Sequence, residues 1–166
     1  MKRLVFLFLV ISFRSNAQDP ALLQKQLVQI MSDFTNKFEN LKDSQNPLYL
    51  KFKLSGTTDN GFIMGDDKVY ISFRLPTITT TKEAKELFDK WVQVLDKINF
   101  NGVKMLGTPC ENNCGEYVVY SKVWAFDDKR KDLSPLYYPF KISLESMNIE
   151  GILAISLFIG NISAAQ

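Results

Sequence analysis

Cys110 and Cys114, in the run Cys-Glu-Asn-Asn-Cys, are the residues of this chain best suited to covalent chemistry. The chain has two cysteines and no histidine. Two sulfurs do not close a tetrahedral zinc site, and no imidazole or third thiol is present to complete one. The spacing also differs from the Cys-x-x-Cys of redox pairs. Pro109, Asn112, Asn113 and Gly115 around the pair are turn formers. The expected chemistry is a structural disulfide that staples a loop tip, with a redox pair and free thiols as the alternatives. For so small a ring the chain-entropy model gives about 2 kcal/mol.

The missing histidine removes the commonest general base and the commonest metal ligand. The chain has no Ser-His-Asp, HExxH, Gly-x-Ser-x-Gly, Walker or Gly-x-Gly-x-x-Gly pattern. No cofactor, metal or catalytic residue is expected on this reading. Among the carboxylates, Asp66 and Asp67 are adjacent and would point to opposite sides of a strand. In Gly-Asp-Asp-Lys they read as solvated turn formers. With Asp59 and Asn60 they are also candidates for calcium, but the spacing does not match an EF-hand. Glu145 and Glu150 flank a hairpin and read as solvated. A glycosidase needs two carboxyls roughly 5–10 Å apart across a cleft, and no pattern here assembles them.

Binding chemistry is better represented. The segment from Lys129 to Pro139 combines three basic residues, two prolines and two tyrosines. Aromatic loops stiffened by proline are well suited to contact partners. Arg130, Leu136, Tyr137 and Tyr138 are therefore candidate binding residues. The alternative is a loop folded back over the sheet with its tyrosines at the rim of the core. A second candidate is the mixed face of Tyr49, Lys51, Lys53, Tyr70, Ser72 and Arg74. It suits an anionic or sugar-like ligand, although cross-strand pairs on a solvated sheet face give the same pattern.

The elements that must hold these residues follow from hydrophobic period. Asp19-Pro20 suits a helix start. Leu23, Leu27, Ile30, Phe34, Phe38 and Leu41 predict one amphipathic helix of about 24 residues, ended by Ser44, Asn46 and Pro47. Alternation predicts strands at Leu48–Leu54 and Val69–Phe73, with a turn at Thr57–Gly61 and a short pairing piece at Phe62–Met64. Thr80 and Glu83 resemble a capping box for a second helix over 81–98. Strands are expected at Val103–Leu106, Tyr117–Phe126, Phe140–Leu144 and Ile152–Ile159. The last is apolar on both faces and should be central, with its second face covered. The fold class is α+β. We expect a single twisted, mostly antiparallel sheet with two amphipathic helices packed on one face, in helix–strands–helix–strands order.

The N-terminus starts Met1-Lys2-Arg3, continues with an apolar run over 4–13 and ends in Ser15-Asn16-Ala17. Basic start, short apolar stretch and small residues before a cut define a signal peptide. Residues 1–17 are expected to be cleaved, leaving 18–166 as a single α+β domain. The apolar run is shorter than the roughly 20 residues of a membrane span. Without Lys2, Arg3 and Arg14 the rest holds 17 basic and 18 acidic residues, a balance with no footprint for nucleic acid or anionic lipid. The leader with Gln18 after it resembles leaders of small exported proteins from Bacteroidota-type Gram-negative bacteria. That resemblance implies the periplasm or extracellular space.

The function expected from these residues is a non-enzymatic binding or interaction protein of the cell envelope or extracellular space. The alternative is a cofactor-free, carboxylate-based hydrolase acting on an envelope polymer or glycan. The partners implied are an unknown protein or small ligand. Nucleic acid and an integral membrane segment in the mature chain are not expected, and the last strand's second face calls for a loop, the C-terminal tail or a second subunit, as in a homodimer, to cover it. Mass spectrometry of the protein from its own cells should find a chain that starts at Gln18, with Cys110 and Cys114 two hydrogens lighter than their thiol forms; an intact Met1 would refute the leader.

Overall fold

The computed structural model describes residues 19–65, 68–110, 114–130 and 132–161. The expected leader and its cut site, the Asp66-Asp67 pair, Asn112, Asn113 and Lys131 lie outside the described residues.

Helix α1 (Pro20–Ser32) starts where expected. The Asp19 carboxylate accepts from the backbone N–H of Ala21 at 3.0 Å and of Leu22 at 3.3 Å, which satisfies donors the helix itself leaves open. Leu23, Leu27, Ile30 and Met31 are buried. The helix then stops well short of the expected 24 residues. Asp33 is buried and accepts from the Asn40 backbone at 2.9 Å and the Asn40 amide at 2.7 Å. It also accepts from the Asn36 amide at 3.3 Å. A short side chain that offers the backbone other partners competes with the helix. The chain instead makes two 3₁₀ turns, Phe34–Asn36 and Glu39–Leu41, joined by Lys37 and Phe38 at φ 54° and 61°. Phe38 and Leu41 are still buried, so the apolar spacing is genuine but the turns, rather than one helix, deliver it.

The strand expected at 48–54 also does not form. Leu50 makes an isolated bridge to Lys42, and Leu50 and Leu54 are buried. The reversal comes earlier than expected, at Gly56 with φ 83°. Asp59, Asn60 and Gly61, read as turn residues, open strand β1 (Asp59–Met64). Residues 48–50 lie along its edge: the Phe62 N–H donates to the Leu48 carbonyl at 2.9 Å and the Leu50 N–H to Asn60 Oδ1 at 2.8 Å.

β2 (Val69–Arg74) leads to helix α2 (Thr81–Leu95), which starts at the expected capping box of Thr80 and Glu83. Ala84, Phe88, Trp91 and Leu95 are buried. A small hairpin, β3 (Asn99–Phe100) with β4 (Val103–Lys104), follows. Then come β5 (Leu106–Pro109), β6 (Val118–Ala125), β7 (Phe140–Ile149) and β8 (Ile152–Asn161). Among the described residues the main sheet has six strands in the order β1-β2-β8-β7-β6-β5, each pair antiparallel. The α+β class, the antiparallel sheet and the two helices on one face are as expected. Cys110 and Cys114 form a disulfide just after β5, their Cα atoms 5.8 Å apart. No helix among the described residues is long and apolar enough to cross a membrane.

β8 is central. Ile155, Leu157 and Ile159 face the helices and are buried with Leu23, Leu27, Trp91 and Leu95 in one core cluster. Fully burying each such side chain stabilises by about 1.5–3 kcal/mol. On the other face the strand carries Ser156, Phe158 and Gly160. The sheet itself shields these: Phe158 meets the Tyr70 ring edge-on at 5.9 Å, and Ser156 and Gly160 are buried. A Cβ on Gly160 would lie 2.4 Å from the Val69 carbonyl, and its φ of 140° belongs to glycine. Gly160→Ala should therefore force β2 and β8 apart and cost about 3 kcal/mol or more, read as a fall in the denaturant midpoint; an unchanged midpoint would contradict the close approach.

Candidate functional site

Across β1 and β2 the register fixes which side chains share the face away from the helices. Asp59 lies opposite Arg74, Gly61 opposite Ser72 and Ile63 opposite Tyr70. Gly61 and Ser72 are small, so the sheet dips between the two larger pairs. The 48–50 segment runs along the outer edge of β1 and raises a wall there. The result is a groove of about 320 Å³ lined by Leu48, Tyr49, Asp59, Asn60, Gly61, Phe62, Ile63, Ser72 and Arg74.

The side chains of Asn60 and Asp59 are held by hydrogen bonds. Asn60 Oδ1 is tied to the Leu50 N–H, which holds the wall. Asp59 Oδ1 accepts from the Asn60 N–H at 2.8 Å. Arg74 and Tyr49 are exposed, and no ion pair joins Asp59 to Arg74 among the described residues. The groove thus offers one guanidinium, one carboxylate, a hydroxyl, an aromatic ring and an apolar end at Ile63. Concave sites with a few converging polar groups beside apolar ones are where small ligands bind.

The residues singled out in the sequence are distributed unevenly. Of the mixed face, Tyr49, Ser72 and Arg74 come together in the groove, and Tyr70 stands beside it against Phe158. Lys51 and Lys53 are exposed and do not line it. The described residues of the 129–139 loop are folded back. Arg130 pairs with Asp132 through both Nε, at 2.8 Å, and Nη2. The Tyr138 hydroxyl donates to the Arg130 carbonyl at 2.6 Å. Tyr137 packs on the core, leaving Leu136 as its exposed apolar side chain, 67% accessible. Leu48, Gly61, Phe62 and Ile63 were missed as site residues, and Asp59 and Asn60 were considered only as calcium ligands. Asn-Gly is an ordinary turn signal, and only the position of the 48–50 segment turns it into a groove floor.

A second cavity of the same size lies at the start of α2, lined by Thr77, Ile78, Thr79, Glu83, Glu86, Leu87 and Lys90. Its Glu83 is already committed to the cap. Hydrogen bonds from Thr79 first, and then Thr80, hold its carboxyl below the usual range. Among the described residues no group of three or more His, Cys, Asp or Glu could hold a metal ion. At the other end of α2, Asp96 accepts from Lys122 Nζ at 2.8 Å and Trp124 Nε1 at 2.8 Å. Burial would raise its pKa, but these bonds and the charges of Lys122 and Lys104 outweigh it and hold the carboxyl low. That cluster ties the helix to β6.

Glu145 is the exception among the acids. It sits mid-sheet on the open face, with Ser121 and Ser156 as its cross-strand neighbours. It is half-buried rather than solvated as expected, and burial pushes its carboxyl up despite the 2.9 Å bond from Ser143 Oγ. An acid whose folded pKa is raised stabilises the fold at low pH and loses that contribution as pH rises through the folded value.

No family model matches this chain, and no curated protein or solved structure shows significant similarity to it.

Glu145→Gln should therefore raise the melting temperature at pH 7, because glutamine accepts the same Ser143 bond without a charge. The gain should vanish below the unfolded carboxylate range near pH ~4. An equal gain at both pH values would contradict the buried-charge reading.

Proposed function

We propose that this chain is an exported, non-enzymatic binding protein that holds a small ligand in the groove between the 48–50 segment and β1–β2. The observation that carries this reading is the convergence of Tyr49, Asp59, Ser72 and Arg74 around a floor made by Gly61. Their chemistry selects the ligand class. Arg74 offers a planar fork that matches a carboxylate. Asp59 and the Ser72 hydroxyl suit hydroxyl groups, and Tyr49 presents a ring and a hydroxyl at the rim. A sugar unit bearing a carboxylate, such as a uronic acid, uses all of these at once. The disulfide supports an oxidising compartment and hence export.

The hydrolase alternative draws its support from Glu145, the carboxyl pushed upward by burial. Its neighbours across both flanking strands are serines, and it does not line the groove. The geometry therefore favours binding over acid–base chemistry.

Calorimetric titration with uronic-acid oligosaccharides and their neutral hexose counterparts tests the proposal. We expect saturable binding of the acidic series only. Arg74→Gln should weaken it about tenfold or more with an unchanged melting temperature, since the Arg74 side chain lies at the surface. Equal binding of both series, or an Arg74→Gln variant that binds normally, would overturn it.

A further inference from the structure

Gly61 has no backbone reason to be glycine. It lies within β1, and its φ is not left-handed. A Cβ built there meets its nearest neighbour, the Leu48 carbonyl, at 3.8 Å, an ordinary contact. Gly160 shows the contrast, since there the Val69 carbonyl excludes any Cβ. Glycine inside a strand packs no side chain and weakens it, and it marks places where a ligand approaches the backbone closely. With Ser72 opposite, Gly61 keeps open space in the middle of the groove.

The two ends of the groove differ in kind. Asp59 pairs with Arg74 at one end and Ile63 with Tyr70 at the other. Among the residues paired between β1 and β2, Asp59 and Arg74 are the charged ones, and Leu48, Tyr49 and Leu50 carry no charge. The wall runs antiparallel to β1, with Leu50 bonded to Asn60 and Leu48 to Phe62. Leu48, 59% exposed, therefore lies toward the Ile63 end, and Tyr49 lies beside Gly61. Ile63 is 41% exposed. The exposed Lys51 follows the wall at the charged end. Asp59 and Ile63 are four positions apart on one face of a strand, a separation of about 13 Å at the usual rise. That is longer than one pyranose ring and suits two linked ones.

We infer that the groove holds two linked sugar units, an acidic one at Arg74 and a neutral one whose methyl-bearing substituent packs on Ile63 and Leu48, with the linkage crossing Gly61. The substituent is an acetamido group or a 6-deoxy carbon, which share that methyl chemistry. This rests on the binding reading above and narrows it from a uronic acid to a uronic-acid disaccharide. Ile63 and Leu48 carry no polar side-chain atom for a hydroxyl, which would lose its water there without a partner. A methyl group instead buries apolar area against both.

Calorimetric titration of the protein compares glucuronic acid alone with the same acid linked to glucose, to N-acetylglucosamine or to rhamnose. We expect the acetylated or the deoxy disaccharide to bind about tenfold or more tighter than the other two probes, the tighter of the pair naming the substituent. Ile63→Ser should erase that preference and keep the binding of the glucose-linked acid; Leu48→Ser provides the same reading from the wall. Gly61→Ala should leave the melting temperature equal or higher, because its Cβ meets no obstacle, yet weaken every disaccharide about tenfold, and Gly61→Val should weaken them further. Acidic binding with no methyl preference, or a preference that survives both serine variants, overturns the inference while the binding proposal stands. Unchanged disaccharide affinity in Gly61→Val overturns it too. No binding of any acidic probe overturns the inference and the proposal together.

Discussion

The structure depends on β8 being paired on both sides. Its register with β7 runs without interruption from Phe140–Asn161 to Ile149–Ile152, and with β2 from Tyr70–Gly160 to Arg74–Ser156. The first is a local hairpin closed by a two-residue turn. The second joins residues more than eighty positions apart and carries the loop-closure cost of everything between them. Once β8 lies between β2 and β7, the pleat sorts its side chains. Ile155, Leu157 and Ile159 must be covered, and α1 and α2 cover them. The opposite face keeps small residues and one aromatic pair, and along the middle of the sheet Ser143, Ser156 and Gly160 are buried.

That asymmetry creates the surfaces with functional interest. An antiparallel sheet covered on one side leaves the other free for contacts. Near β1 the free face is hollowed by Gly61 and Ser72 and walled by the 48–50 segment; at the hairpin end it carries Ile149 and Ile152, exposed across the turn. Between them Glu145 sits half-buried beside Ser143. The helix side is closed by a tie of a different kind, the Asp96–Lys122–Trp124 cluster. It lies so near β5 that a Cβ on Gly107 would come within 2.7 Å of Trp124 Nε1.

Much of this was legible in the sequence. The capped start of α1, the capping box of α2, the strands β2, β6, β7 and β8 and the centrality of the last strand all follow from local chemistry and period, and they agree with the fold. The failures share a cause. Asp33, Asn36 and Asn40 are polar residues within an apolar helical stripe, and period alone does not reveal that one carboxylate collects three amide donors and ends the helix. Asp59-Asn60-Gly61 reads as a turn for sound local reasons. It becomes a strand because Asn60 spends its side chain on Leu50 and Gly61 is needed as open floor. The strand expected at 48–54 was lost to the same arrangement, since that segment serves β1 as an edge. Sequence rules fail most often where long-range contacts use a residue for something other than its local preference, and here that place coincides with the groove.

Hydrogen exchange resolved by residue tests the central role of β8 most directly, because amides in the organising strand open only with the whole fold. The backbone N–H groups of Ile155 to Ile159 should be the slowest in the chain, with protection equal to the global unfolding free energy, while edge strands β1 and β5 exchange faster. If the β8 amides exchange as readily as those of β1 or β5, the sheet is not organised around β8, and the open face described here would not exist as a defined surface.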